Sequence, residues 1–200
     1  MVVIGLTGGI LSGKSTVSGM LQERGAVVID ADKVGHEVYL PHTDGWREVV
    51  ATFGREILKE NDEVDRKRLG EIVFGDPKAL ERLNYIMHPR MHDIMKGRLE
   101  ELRRQGVEGV VLEAAILIEA GWTDLVDQVW VTLAPEERVM DRLKERGGLS
   151  EEEARSRIRS QMPIWEKARL ADVVINTDCP IEEAEAAVNR LWERIQHSVI

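Results

Sequence analysis

The sequence predicts an α/β fold in which helices pack against a parallel β-sheet. Two observations carry this prediction. Segments with helical periodicity alternate with short apolar runs, and those runs are rich in Val and Ile without polar alternation, which is typical of strands buried on both faces. The five runs are residues 2–6, 26–29, 110–112, 126–133 and 173–175. A chain of 200 residues is long enough to bury a proper core around such a sheet.

Four helices are predicted from their start signals. Residues 16–24 follow a glycine-rich loop, and residues 135–146 begin with Pro-Glu-Glu, which suits a first helical turn. Ser150 is followed by three glutamates, the pattern of a capping box. A last helix starts at Pro180, and one stripe of it is apolar: Ile181, Ala184, Val188, Leu191 and Ile195.

The interval from about residue 30 to residue 110 is too long for a single crossover between strands. It contains further predicted helices, including residues 77–86 and 92–105. We interpret it as an inserted helical lobe. Since ligands of open α/β sheets bind at the carboxyl ends of the strands, such a lobe could cover the site.

Composition excludes several classes of protein. The formal charge of −9, from 27 basic and 36 acidic residues, argues against a nucleic-acid-coating protein. No apolar run is long enough for a membrane span, and the N-terminal run lacks the basic region of a signal peptide. A single cysteine, Cys179, fits a reducing compartment. We therefore expect a cytoplasmic protein with neither nucleic acid nor membrane as a partner.

The stretch GLTGGILSGKST carries the strongest motif, Gly8-x4-Gly13-Lys14-Ser15. It follows a predicted strand and opens a predicted helix, the context in which backbone amides and a helix N-terminus hold phosphates. Lys14 is expected to bridge terminal phosphates, and the Ser15 hydroxyl to bind Mg²⁺. The predicted nucleotide contacts are Gly9, Ile10, Leu11, Ser12, Gly13, Lys14, Ser15 and Thr16.

Leu11 stands in this loop where glycine is common. If its backbone is left-handed, a leucine there costs about 1–2 kcal/mol. The residue either is tolerated or weakens nucleotide binding.

The segment VVIDADK places Asp30 and Asp32 at the end of the second predicted strand. Strand alternation predicts that both carboxylates point to the same face. A carboxylate beside a phosphate loop can deprotonate an attacking hydroxyl, or hold the metal. The alternative is two solvated acids that begin a loop.

Arginines recur in the next predicted region. Arg138, Arg142 and Arg146 are spaced at i, i+4 and i+8, so they share one helix face, and Arg155, Arg157 and Arg159 follow. Guanidinium groups match phosphate oxygens. The alternative is a solvated face on which the arginines pair with nearby acids.

With these motifs in place, the chain resembles the dephospho-coenzyme A kinase family over most of its length. The resemblance is carried by GLTGGILSGKSTV, VIDADKVGHEV, EVDRKRLGEIVF, LNYIMHP, RLKERGGLSEEEARSRIRSQM and ADVVINT, in this order. It implies a P-loop NTPase three-layer fold with a five-stranded parallel sheet in the order 2-3-1-4-5. It also implies one kinase domain over residues 1–200, with a helical coenzyme-binding insertion at 33–109 and a lid at 135–165.

The resemblance implies transfer of the γ-phosphoryl group of ATP, with Mg²⁺, to the 3′-hydroxyl of dephospho-coenzyme A. Asp32 would accept the hydroxyl proton, and Lys14 and Arg142 would act on the transferring group. Arg146 and Asn176 would contact the nucleotide. The residues implied on the acceptor side are Asp32, His36, Arg66, His88 and Glu119.

Three departures from the family pattern keep alternatives open: Leu11 replaces glycine, His36 stands where many members carry arginine, and LEAAILIEAG matches D-x-P-L-L-F-E only loosely. One alternative is another small-molecule or nucleoside monophosphate kinase of the same fold. The other is a nucleotide-binding module impaired by Leu11. We expect a monomer, although no motif fixes the oligomeric state.

Overall fold

Five parallel strands form one sheet in the order β2-β3-β1-β4-β5. A computed structural model describes residues 1–146, 155, 158 and 161–198 of the chain. The order confirms the prediction of 2-3-1-4-5, and every predicted strand is present. The strands are β1 (Val2–Gly8), β2 (Val27–Asp30), β3 (Gly109–Glu113), β4 (Gln128–Leu133) and β5 (Val173–Asn176).

Strand β1 lies at the centre of the sheet because its side chains are apolar or small on both faces. Ile4 and Leu6 are fully buried, and Gly5 lies opposite Leu112 of β3 and Val129 of β4. All five strands run in the same direction, so their carboxyl ends share one edge of the sheet.

The described helices include the three predicted beside the sheet, whose bounds are shifted by at most two residues. They are α1 (Lys14–Glu23), α2 (Ala31–Val38), α3 (Asp44–Phe53), α4 (Arg66–Gly75), α5 (Pro77–Arg104), α6 (Glu136–Arg146), α7 (Ile164–Arg169) and α8 (Ile181–Ser198). Single 3₁₀ turns lie at Arg55–Ile57 and Trp122–Leu125. The capping box at Ser150, with Arg157 and Arg159, lies outside the described residues.

The chain divides into two compact units. The sheet unit joins Met1–Asp30 with Leu99–Ile200, and the helical unit is Ala31–Arg98. In the sheet unit, α1 and α8 contribute to one core with strand residues: Val17, Leu21, Ala184, Val188 and Trp192 pack with Ile4, Leu6, Val111, Trp130 and Ile175.

Helix α5 corrects the prediction of two helices at residues 77–86 and 92–105. The structure has one helix of 28 residues that contains Pro89. Proline removes an amide donor and usually kinks or ends a helix. Here burial outweighs that preference, because Ile86, Met91 and Met95 around the proline are at least nine-tenths buried.

Membrane-spanning helices were sought among the described residues, and none has both the length and the apolar character that a span requires.

Candidate active site

The glycine-rich loop connects β1 to α1, as predicted. Gly13 is the N-cap of α1, with a left-handed backbone (φ 84°) and no side chain that caps the helix. The first turn of α1 also contains no acidic residue. The first amide N–H groups of a helix lack intrahelical partners, and the helix dipole favours an anion beside them. This end of α1 is therefore suited to phosphate oxygens.

The loop is packed against the ends of β4 and β5. A Cβ atom at Gly8 would lie 2.2 Å from Thr132 Oγ1, so only glycine fits there. The hydroxyl oxygens of Ser12 and Thr132 are 2.7 Å apart, and the Thr177 hydroxyl donates to the Ser12 carbonyl at 2.7 Å. These contacts hold the loop against β4 and against the residue that follows β5.

Leu11 has a left-handed backbone, with φ 53°, so the condition for a cost of about 1–2 kcal/mol is met. Its side chain packs against Met140 and Leu143 of α6. Its carbonyl accepts a hydrogen bond of 2.9 Å from Arg142 Nη1. The leucine side chain therefore makes apolar contacts with α6 that a glycine at this position would lack.

Lys14 and Ser15 converge on one carboxylate. Lys14 Nζ lies 3.3 Å from Glu113 Oε1, and the Ser15 hydroxyl donates to the same oxygen at 3.0 Å. Glu113 ends β3, the strand next to β1. We did not predict Glu113 as a site residue. Its place at the carboxyl end of a buried strand was the signal that could have identified it.

Ser15 and Glu113 also fit the implied magnesium ion. Mg²⁺ prefers oxygen ligands, keeps several waters, and is held at nucleotide sites by one or two protein oxygens together with phosphates. Among the described residues there is no cluster of three or more His, Cys, Asp or Glu that could hold a metal. A hydroxyl and a carboxylate 3.0 Å apart match the sparser arrangement.

The predicted arginine face divides into different environments. Arg142 Nη2 donates to the Thr177 carbonyl at 2.6 Å, in addition to its bond with Leu11, so it joins α6 to the loop and to the end of β5. Arg138 pairs with Asp178 at 2.7 Å, and Arg155 pairs with Glu136 at 3.0 Å, both at exposed positions. These two follow the alternative of a solvated, paired face. The side chain of Arg146 lies outside the described part of the chain.

Asn176, predicted as a nucleotide contact, ends β5. Its Oδ1 accepts the backbone N–H of Asp178 at 2.9 Å, so the side chain closes the turn that leads to α8. It is exposed, and its contact with a nucleotide stays a prediction.

Glu119, predicted on the acceptor side, forms an ion pair and a hydrogen bond within the protein. Its Oε1 lies 2.8 Å from Lys167 Nζ and accepts the Met162 N–H at 3.0 Å. Lys167 is fully buried and also donates to the Ala115 carbonyl at 2.5 Å. Burial lowers the pKa of Lys167, and Glu119 partly opposes this effect. The role of Glu119 toward a substrate stays a prediction.

The remaining acceptor-side residues lie in the helical unit. The strand-alternation argument for Asp32 is wrong, because β2 ends at Asp30 and Asp32 lies in the first turn of α2. Asp32 is exposed there. Helical geometry therefore sets the direction of its side chain, and Asp30 and Asp32 do not share a strand face.

Two of these acceptor-side residues, His36 and Arg66, lie close to Tyr39. The His36 and Tyr39 rings are 6.0 Å apart between centroids, and the side chains of Arg66 and Tyr39 form a hydrogen bond. Burial raises the pKa of Tyr39, and the Arg66 charge opposes that shift. Tyr39 therefore links two residues that the sequence implied on the acceptor side.

His88 lies on α5, and burial lowers the pKa of its imidazole. The neutral ring is thus favoured in the folded protein.

Comparisons with known proteins give a consistent result. The CoaE family model, described as dephospho-CoA kinase, matches residues 2–183. A dephospho-CoA kinase of Geobacter sulfurreducens is 48% identical over 97% of this chain and 98% of its own length. The solved dephospho-CoA kinase of Campylobacter jejuni superposes with a TM-score of 0.73 at 26% identity, over 99% of this chain and 98% of its own. A Thermus thermophilus structure reaches a TM-score of 0.80 at 33% identity, over 96% and 97% of the two chains. The chain belongs to the dephospho-CoA kinase family.

Proposed function

We propose that this protein transfers the γ-phosphoryl group of ATP to the 3′-hydroxyl of dephospho-coenzyme A, the last step of coenzyme A synthesis. The observation that carries the proposal is the family match over residues 2–183, which includes the loop with its left-handed Gly13. Membership of a fold family alone would not define the acceptor. Here the match extends through the helical unit as well.

The sheet unit supplies the phosphate side of the reaction. The amides at the start of α1 and the Lys14 ammonium bind and orient the phosphates of ATP, and they neutralise charge on the transferring group. Ser15 and Glu113 would hold Mg²⁺, which would offset the negative charge of the phosphates. Within a lid at residues 135–165, Arg142 reaches the transferring group and Arg146 contacts the nucleotide. Asn176, at the end of β5, also contacts the nucleotide.

The helical insertion, residues 33–109, binds the acceptor, and Asp32 lies just before it. Asp32 accepts the proton of the 3′-hydroxyl as that oxygen forms a bond to the γ-phosphorus. The bond between the γ-phosphorus and the bridging oxygen breaks, and ADP leaves. His36, Arg66 and His88 shape the acceptor pocket, and Glu119 completes the acceptor side.

We also propose a cytoplasmic monomer that uses these two small-molecule substrates. The cytoplasmic assignment is supported by the single free cysteine, Cys179, which suits a reducing compartment. Light scattering on the purified protein tests the monomer directly.

The test of the function is ADP release with ATP, Mg²⁺ and dephospho-coenzyme A, with mass spectrometry of the product. Adenosine and AMP serve as control acceptors. The expected result is one phosphate gained by dephospho-coenzyme A and by neither control. The variant Asp32→Asn should lower kcat by about 100-fold or more while ATP still binds, because it removes only the proton acceptor.

Two other results would contradict the proposal. ADP formed only with AMP or another acceptor would indicate a different small-molecule kinase of the same fold. ATP binding without any ADP would favour a nucleotide-binding module impaired by Leu11, and Leu11→Gly should then raise activity greatly.

A further inference from the structure

A buried lysine outside the glycine-rich loop is bonded to the chain that follows β3. The Lys167 ammonium is fully buried in the sheet unit. It has two partners on residues 114–121, the Ala115 carbonyl at 2.5 Å and the Glu119 carboxylate at 2.8 Å. An enclosed ammonium is costly unless it is paired and hydrogen-bonded. The Ala115 carbonyl and the Glu119 carboxylate supply both the hydrogen bond and the opposite charge that Lys167 needs.

The partners of Lys167 lead directly to the Lys14–Ser15–Glu113 cluster. Ala115 is two residues from Glu113, and its carbonyl also accepts the Thr7 hydroxyl at 3.2 Å. Thr7 lies in β1, immediately before Gly8. The Ala114 N–H donates to the Leu6 carbonyl at 3.0 Å, so the backbone after Glu113 is fixed to β1 on one side and to Lys167 on the other.

Glu119 extends this network to the chain before α7. The same carboxylate oxygen that pairs with Lys167 accepts the Met162 N–H at 3.0 Å. Burial is the main cause of the lowered pKa of Lys167, and the positive charge of Lys14 lowers it further. The site thus contains two lysine–glutamate pairs, Lys14–Glu113 and Lys167–Glu119, joined through residues 114–118.

We propose that Lys167 is a positioning residue for phosphoryl transfer, which holds the Ala115 carbonyl and Glu119 so that the Glu113 carboxylate stays aligned with Ser15 and Lys14. The inference deepens the proposed function and rests on it for the turnover measurement. Residues that orient the ligands of a metal commonly alter metal affinity or activity by about 10–100-fold when they are replaced.

The test compares Lys167→Met with the unaltered protein. Methionine keeps an unbranched chain of similar length but lacks the ammonium. We expect kcat to fall about 10–100-fold. Calorimetry gives the ADP affinity with and without Mg²⁺, and the ratio of these two affinities should be about tenfold smaller in the variant. ADP affinity without Mg²⁺ should change less than about threefold, because the loop and the first turn of α1 are retained.

Two further variants separate positioning from simple destabilisation. Val188→Ala opens a cavity in α8, in the same unit but outside the network, and should leave the Mg²⁺ effect on ADP affinity unchanged. Lys167→Met with Glu119→Gln removes the carboxylate that would be left unpaired, while the amide oxygen can still accept the Met162 N–H. We expect this double variant to remain impaired, since the Ala115 carbonyl still lacks its lysine.

An unchanged Mg²⁺ effect in folded Lys167→Met, or full recovery in the double variant, would overturn the proposal. Recovery would mean that an unpaired Glu119 caused the defect. Failure of the proposed function can be distinguished from failure of the proposed role of Lys167. An unaltered protein that transfers no phosphate to dephospho-coenzyme A refutes the function, whereas the calorimetric comparison with ADP and Mg²⁺ still tests the lysine.

Discussion

Leu11 has a backbone conformation that disfavours leucine, and its packing contacts offset that cost. A left-handed backbone costs a leucine about 1–2 kcal/mol relative to glycine. Packing of its side chain against Met140 and Leu143 contributes in the opposite direction, since each buried CH₂ group is worth about 0.8 kcal/mol. Leucine also restricts the unfolded chain more than glycine does. These contributions are similar in size, so the leucine is accommodated.

This balance predicts the order of stability of two variants. Leu11→Gly relieves the backbone strain and loses the packing, so the free energy of unfolding should change by less than about 1 kcal/mol. Leu11→Ala keeps the strain and loses most of the packing, and should be less stable than Leu11→Gly by about 1 kcal/mol. Urea unfolding of the three proteins measures both differences. Equal stability of the two variants would show that the φ of 53° carries no strain.

His88 gives a pH dependence with a defined sign. Its pKa in the folded protein is lowered by burial from the ordinary value of 6.5. As pH falls below about 6.5, the unfolded chain takes up a proton before the folded one does, so stability decreases until the pH reaches the folded-state pKa. Above that window the histidine contributes no pH dependence.

The variant His88→Gln isolates this contribution. We measure the free energy of unfolding from about pH 7.5 to about pH 5, a range that includes the titration of histidine. As the pH falls, this free energy should decrease less steeply in His88→Gln than in the unaltered protein. His42→Gln is the control, at a surface-turn histidine in the same unit. Identical pH profiles for His88→Gln and the unaltered protein would contradict the burial effect.

At the scale of elements, α6 contacts the loop through hydrogen bonds and through side-chain packing. Arg142 donates to the carbonyls of Leu11 and Thr177, while Met140 and Leu143 pack on the Leu11 side chain. The helix therefore supports the loop from two directions. An arginine in this place can hold the loop and, as the family resemblance implies, also act on the transferring group.

The variant Arg142→Ala distinguishes these two roles. We expect turnover to fall far more, about 100-fold or more, than ATP affinity, because an arginine that contacts transferring phosphate acts mainly in the transition state. The control Arg138→Ala removes an exposed ion pair with Asp178 from the same helix and should change kcat less than about twofold. Equal losses in ATP affinity and turnover would assign Arg142 to support of the loop alone.

Element patterns in the sequence predicted the sheet well and the helical unit less well. Val- and Ile-rich runs identify all five strands because strands buried on both faces leave a continuous apolar signal. The proline rule failed at α5, where methionine and isoleucine burial outweighs the local effect of Pro89. Asp32 was misplaced by two residues, since α2 begins directly at Ala31 without an intervening loop.

From motifs alone, without the family resemblance, the candidate site could be predicted only where it is contiguous in the chain. The loop residues appear as a motif because one strand, one turn and one helix hold them all. Glu113 is about one hundred positions away from Lys14 in the chain, and the two meet only because β3 pairs with β1. Lys167 is still harder to find, since a lysine in an ordinary helical segment gives no sign of full burial.

At the scale of the whole molecule, an acidic protein binds an acidic ligand. The net charge of −9 disfavours a polyphosphate at long range, so we expect affinity to depend on the local field of Lys14, the start of α1 and Mg²⁺. Binding to the folded state alone stabilises it by about 2.7 kcal/mol at a ligand concentration one hundred times Kd. For a chain of 200 residues this corresponds to a rise in Tm of about 5–10 °C.

A thermal shift measurement tests this dependence. ADP with Mg²⁺ should raise the Tm of the unaltered protein by about 5–10 °C and that of Lys14→Met by less than about 2 °C. Lys59→Met provides the control, because Lys59 forms an exposed pair with Glu63 at 3.6 Å in the helical unit. A full shift in Lys14→Met would remove Lys14 from phosphate binding.

The hydroxyl contacts of the loop influence the entropy of nucleotide binding. Ser12, Thr132 and Thr177 hold the loop in shape through bonds made within the protein. Ordering a free backbone costs about 1–2 kcal/mol per residue in conformational entropy. Here the loop is already ordered in the folded protein, so binding of a phosphate should require little further loss of backbone entropy. Thr132→Val should thus weaken nucleotide affinity chiefly through a less favourable binding entropy measured by calorimetry, although Thr132 lies in β4 and not in the loop.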